Sequence, residues 1–272
     1  VTGVQTCALP IYPDDPTKSR LNIAVGGDLV DGTVAKVAPD LAPLADLRAP
    51  DGIFGVSGNH EFYADDGGKW LDVWETLGIT TLRNSRTSIQ HGGDTIDIVG
   101  IHDYTSPAPY EPNLTAALAG RDPNTFALLL AHEPRQAIEA SEMGIDLQLS
   151  GHTHGGQMWP LRYLVPLQQP SVQGLDRVGN TVLYTTRGAG AWGPPVRVGA
   201  PPEITGDAAG STANTCSWGQ RALSTCAQPV RWPPVPTPVM MASRPSGKSA
   251  AISAAVVRTC TSMLAGFSNC WG

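Results

Sequence analysis

The chain has 272 residues, 41% hydrophobic and 15% charged, which suits one sizeable globular domain with length to spare. A formal net charge of -6 argues against nucleic acid as the main partner, and no apolar run approaches the roughly 18–20 residues of a membrane-spanning helix. The 30 glycines and 24 prolines favour many loops over a helical bundle.

Val1 to Ile11 lacks a strand or helix period, and it lacks the basic start and apolar core of a signal peptide. It closely resembles the translation of a sequencing-library adapter. It is therefore expected to be an assembly artefact, with the true N-terminus missing. Leu21 to Val25 reads as a strand ending at Gly27-Asp28-Leu29-Val30-Asp31. Thr33 to Arg48 has helical spacing through Val34, Val37, Leu41, Leu44 and Leu47. Ile53 to Val56 is a second strand, ending at Gly58-Asn59-His60-Glu61. Lys69 to Leu77 is a helix, stopped by Gly78.

Thr87 to His102 reads as a hairpin turning at Gly92-Gly93. Leu114 to Leu118 is a short helix. Phe126 to Leu130 is an unbroken apolar run, as a strand covered on both faces requires, and it ends at His132. A helix over Arg135 to Met143 precedes the strand Ile145 to Leu149, which feeds Gly151-His152-Thr153-His154-Gly155-Gly156-Gln157. Thr181 to Tyr184 is a last strand. The alternation of strands and helices argues for α/β, and the hairpin for a mixed sheet.

After Thr205 the pattern collapses. Residues 207–272 hold five basic residues and one acidic, against 13 basic and 23 acidic in residues 1–206. Pro229 to Pro238 cannot form regular structure, although Ala250 to Val257 could make a short helix. This tail reads as disordered or frame-shifted. It also holds Cys216, Cys226, Cys260 and Cys270. Residues 12–206 have no cysteine, so the body needs no disulfide and has no thiol nucleophile.

Asp28, Asn59 with His60, His132, and His152 with His154 each follow an apolar run. In α/β sheets, ligands bind beyond the carboxyl ends of the strands, so four such ends would bring these side chains together. A carboxylate, an amide oxygen and imidazoles suit a divalent Mn, Fe or Zn ion.

In this order the four motifs resemble the calcineurin-like metallophosphoesterases. Gly155-Gly156-Gln157 and the later Arg187-Gly188 are similar to a small bacterial branch named for YkuE. The resemblance covers roughly residues 20–206 and implies a four-layer α/β/β/α sandwich with a two-metal site. It implies that Asp28 bridges the metals, that Asn59, His132 and His152 complete one, and that His154 binds the other. It makes His60 a general acid or cation facing the phosphate, held by Asp31. Two ions would lower the pKa of a bridging water to give hydroxide and neutralise phosphoryl charge.

The family opens with an Asp-x-His motif one βα unit earlier, and this chain has none there. The expectation is therefore a sandwich lacking its first strand, over residues 12–206, that binds two metals in intact relatives and one here. The implied activity is hydrolysis of a phosphomonoester, phosphodiester or lipid-linked pyrophosphate. The alternative is a non-catalytic metal-binding remnant. A serine esterase of the SGNH type is set aside, because Leu29 stands where its nucleophile is needed.

Other residues have plainer readings. Asp31 could cap the helix near Thr33, Glu61 is a structural acceptor, and Arg187 is an ion-pair partner before it is a phosphate clamp. His91 and His102 go to the hairpin surface and a strand end. Met158 to Leu167 is unusually apolar. It either covers one sheet end or forms an exposed lip for a lipid-like substrate or a membrane surface.

Overall fold

The computed structural model describes residues 6–7, 22–91 and 94–205. The Gly92-Gly93 turn, the 207–272 tail and its Ala250–Val257 helix lie outside the described residues, as does most of residues 1–21.

Two mixed sheets form. In the first, β2 (Ile23–Val25), β3 (Ile53–Gly55) and β4 (Thr80–Thr81) run parallel, and β1 (Thr6–Cys7) lies antiparallel against β2. The strand at Thr6–Cys7 falls where the sequence showed no period, and it forms one edge of this sheet. The second sheet has the order β5-β6-β7-β8-β10-β9. Its parallel centre is β6 (Asp94–Gly100), β7 (Phe126–Leu130), β8 (Leu147–Ser150) and β10 (Thr181–Thr185). Its antiparallel edges are β5 (Ser85–His91) and β9 (Gly174–Val178). Sequence reading missed β4, which is two residues long, and β9, whose mostly exposed side chains give no apolar alternation.

Period-two alternation sorts these strands into layers. Ile23, Val25 and Ile53 face outward to Val37, Leu41, Trp70, Leu71 and Trp74. Val99, Ala127 and Leu129 face outward on the other sheet, to Leu114, Ala117 and Ala140. The intervening residues Phe54, Ile98 and Leu130 meet Val56 and Leu82 between the sheets. The result is helix, sheet, sheet, helix, as expected. Each fully buried Leu, Ile or Trp in these layers contributes roughly 1.5–3 kcal/mol.

The helix expected over Thr33–Arg48 is only partly α. It begins as α1 (Val34–Val37) and continues as a 3-10 stretch, Ala38–Asp46. Pro39 and Pro43 explain the change, since each lacks an N–H and disfavours α geometry in the residue before it. Asp31 does not cap it: the Val34 N–H donates instead to Asp65 Oδ2 at 3.0 Å. A further turn, α2 (His60–Tyr63), starts in the Gly-Asn-His-Glu motif itself. α3 (Gly67–Thr76) is capped by Asp66, which accepts from the Gly68 N–H at 2.8 Å. α4 (Leu114–Ala117) is short, as read, and α5 (Ala137–Glu142) follows a 3-10 turn at Pro134–Gln136.

Candidate metal centre

Four loops leave the carboxyl ends of β2, β3, β7 and β8 and meet where the two sheets face each other. Their approach depends on glycine. Gly27 has φ +90°, and a Cβ there would overlap the Gly58 backbone and the His132 ring. A Cβ on Gly58 would in turn overlap the Asp28 carboxylate and amide. Asp28, His152 and His154 themselves have φ of 54°, 67° and 51°. Non-glycine residues seldom adopt that region, and such strain gathers where surrounding structure enforces it for a site.

Around His132 Nε2 lie Asp28 Oδ2 at 3.0 Å, Asn59 Oδ1 at 3.1 Å and His152 Nδ1 at 3.2 Å. Asn59 Oδ1 is also 3.1 Å from His152 Nδ1. Two neighbours fix which atoms face inward. His132 Nδ1 lies 2.6 Å from the Gly26 carbonyl, so it carries the donated proton and leaves Nε2 a lone pair when the ring is neutral. Asn59 Nδ2 donates to the Tyr63 hydroxyl at 2.6 Å, which turns the amide oxygen to the centre. Four lone-pair atoms thus converge in a buried spot, an arrangement that calls for a cation among them. Adjacent ligands about 2.1 Å from a common ion sit roughly 3.0–3.4 Å apart, and the observed separations match. Among the described residues, Asp28, His132 and His152 are the His, Cys, Asp and Glu side chains whose atoms cluster tightly enough to hold a metal.

A proton can serve the same geometry. Burial alone would raise the Asp28 carboxyl, but the charge and hydrogen bond of His132 outweigh it and hold the group at about 2. Burial alone would lower His132, and the Asp28 carboxylate overrides it, pushing the ring up to about 10. His152 is driven down to about 3 by burial and the neighbouring His132 charge, so it is neutral and ready to ligate. Glu61, fully buried, accepts from the Asp28, Leu29 and Gly58 N–H groups at 2.9, 2.8 and 2.6 Å, and so ties the two glycine loops together. Burial and the Asp28 charge push its carboxyl up to about 8, against the pull of those donors.

His154 does not join the cluster. Its Nδ1 lies 3.1 Å from Arg197 Nη2, and burial and that guanidinium lower the ring to about 4. His60 stands beside the centre: its N–H donates to Asp28 Oδ1 at 2.9 Å, and its Nδ1 is 3.4 Å from Asp31 Oδ1. Arg187 pairs with Glu203, so it is a structural ion-pair partner. His102 is buried behind the site, with Nδ1 3.1 Å from Ser57 Oγ, while the His91 side chain lies outside the described residues. Sequence reading missed Tyr63, Glu133 and Arg197. Glu133, 4.0 Å from His152 Nε2, directly follows His132 and could have been flagged by that adjacency. Arg197 sits in a loop 43 residues after His154 and leaves no sequence signal.

The centre opens into a cleft of about 260 Å³. Asp28, Asn59, His60, His152 and His154 give it a polar floor, and Leu161, Val165 and Trp192 line its wall. A larger cleft, about 450 Å³, lies at the opposite ends of β3 and β4, with Arg48 as its one charged lining residue and no catalytic group.

The sequence profile of the calcineurin-like phosphoesterase family matches residues 19–156. An uncharacterized metallophosphoesterase of Helicobacter pylori is 41% identical over 186 residues, covering 67% of this chain and 49% of its own. YkoQ of Bacillus subtilis is 32% identical over 193 residues, covering 67% of this chain and 70% of its own, and YkuE of the same organism is 33% identical over 195, covering 67% and 65%. The chain spans about half the length of the Helicobacter pylori relatives.

Proposed function

The chain belongs to the calcineurin-like phosphoesterase family, and on that premise we propose that it is a metal-dependent hydrolase of phosphoric esters. The observation that carries this reading is the convergence of Asp28, Asn59 and His152 on His132 Nε2 at 3.0–3.2 Å. These four side chains would hold one divalent ion of the Mn, Fe or Zn class. His154 would contribute to a second, with Asp28 shared between them. When bound, such ions lower the pKa of coordinated water and neutralise charge on phosphoryl oxygens.

The remaining work falls to the chain's own groups. His60 lies on the cleft floor with its ring beside Asp31, so a protonated His60 can meet a phosphoryl oxygen or hand its proton to a departing alkoxide. Asp31 Oδ1, 3.4 Å from its Nδ1, orients the ring. Tyr63 holds the Asn59 amide, and Glu61 holds the loop that carries Asp28. Phosphomonoesters, phosphodiesters and pyrophosphates all fit this chemistry.

The engagement of His154 with Arg197 favours a second reading, a one-ion module without turnover. A Mn²⁺ titration run beside hydrolysis of bis(p-nitrophenyl) phosphate separates the two. Turnover that saturates with Mn²⁺ and vanishes in His132→Ala supports the hydrolase. One ion bound tightly with no turnover supports the module.

A further inference from the structure

Among the described residues, most exposed large apolar side chains lie on the segments that supply lining to the cleft. Of 13 exposed large apolar side chains among the described residues, nine lie from Trp159 to Val198; one of these, Leu175, is on β9, and Tyr63 from the α2 turn, which lines the cleft, adds to the other eight. Trp159 is 64% exposed and Leu167 80%, so the Met158–Leu167 segment does not simply cover a sheet end. Two short 3-10 turns, Leu161–Tyr163 and Val165–Leu167, hold it in place. The Trp159 N–H donates to the Val198 carbonyl at 2.9 Å, and the Trp192 N–H donates to Gln157 Oε1 at 2.6 Å. These bonds bind the apolar segment to the loop carrying Trp192. These two segments flank the cleft, which takes Leu161 and Val165 of its lining from one and Trp192 from the other, with further exposed apolar side chains on both.

A polar floor beside apolar lining residues, with exposed apolar side chains on the flanking segments, matches an amphiphilic ligand. We propose that the site takes phosphoric esters whose organic half bears a long alkyl chain, with the phosphate on the floor and the chain along Leu161, Val165 and Trp192. The proposal rests on the hydrolase reading for where the phosphate sits. Each methylene moved out of water is favourable by up to about fourfold in affinity, and chain length is therefore the variable that reports the path.

The test compares octylphosphonate with methylphosphonate, each below its micelle concentration, by calorimetry on the full chain with Mn²⁺ present. Turnover of p-nitrophenyl octyl and p-nitrophenyl methyl phosphate is followed alongside. Octylphosphonate binding at least about tenfold tighter is expected. The octyl-to-methyl ratio should fall towards one in Leu161→Ser and in Val165→Ser, and persist in Ile138→Ser, an exposed residue of α5 that does not line the cleft. Equal affinity for the two phosphonates, or binding of neither, overturns the proposal. A chain-length preference without any turnover keeps it while removing the hydrolase reading. Sedimentation showing a dimer that Trp159→Ser dissociates, with no chain-length preference in the monomer, assigns the rim to self-association and overturns it as well.

Discussion

Asn59 and His132 carry the argument at the residue scale, because each is committed twice. One polar atom of each is spent on a fixed neighbour, Tyr63 or the Gly26 carbonyl, and this commitment aims the other at the centre. His152 joins them directly, while His154 turns to Arg197. Replacing His152 with Ala should therefore weaken Mn²⁺ binding more than the roughly 10–100-fold typical of losing an outer partner. His154→Ala should cost less than about tenfold, and equal losses in a metal titration would contradict this split. The His132 proton sets a second expectation. An ion and that proton compete for Nε2, and the proton is held up to about pH 10. Binding at pH 7 should release about one proton per ion, and affinity should rise with pH. Calorimetry in two buffers of different ionisation enthalpy measures the release, and a value near zero would count against His132 as a ligand.

Among the elements, the two glycine loops after β2 and β3 set the precision of the site. Glu61 locks them by accepting from three N–H groups, and Gly27 and Gly58 let the backbones touch. Gly58→Ala should cost about 1–3 kcal/mol by overpacking and should weaken metal binding, because its Cβ displaces the Asp28 carboxylate. Gly78→Ala, at the end of α3, serves as the comparison. Its Cβ meets nothing within 4 Å but its φ is +87°, so it should cost roughly 1 kcal/mol and leave metal affinity unchanged. Urea denaturation with a metal titration on each variant reads both effects. The same scale shows why the Thr33–Arg48 helix was over-read. Its apolar spacing is genuine, and Leu41 is buried, but two prolines tighten the backbone into 3-10 geometry without moving that face.

For the whole molecule, stability depends on holding the two sheets together, and His102 shows how pH enters. It follows β6, and its ring meets Ser57 after β3. Burial and the Arg83 charge lower its pKa from 6.5 to about 4. Between those values the unfolded chain binds a proton that the folded chain refuses. Stability should accordingly fall as pH drops from 6.5 through 4, by at most on the order of 3 kcal/mol from this group. His102→Phe should flatten the pH dependence of the urea midpoint in that window. An unchanged slope would show that His102 does not titrate as described.

The sequence alone was enough to identify the α/β class, most central strands, and Asp28, Asn59, His132 and His152 as candidates, because period-two runs ending in polar motifs are local features. It could not assign β2 and β3 to one sheet and β7 and β8 to the other, since pairing joins residues far apart in the chain. The resemblance already gave the neighbours His152 and His154 different roles, but nothing local in the sequence shows what His154 meets. Its partner Arg197 lies 43 residues on, and only the folded chain brings the two together. The apolar segment after the metal loop was legible as apolar but not as exposed. Exposure depends on what packs over a residue, and here the Trp192 loop pairs with its backbone while its side chains stay open to solvent.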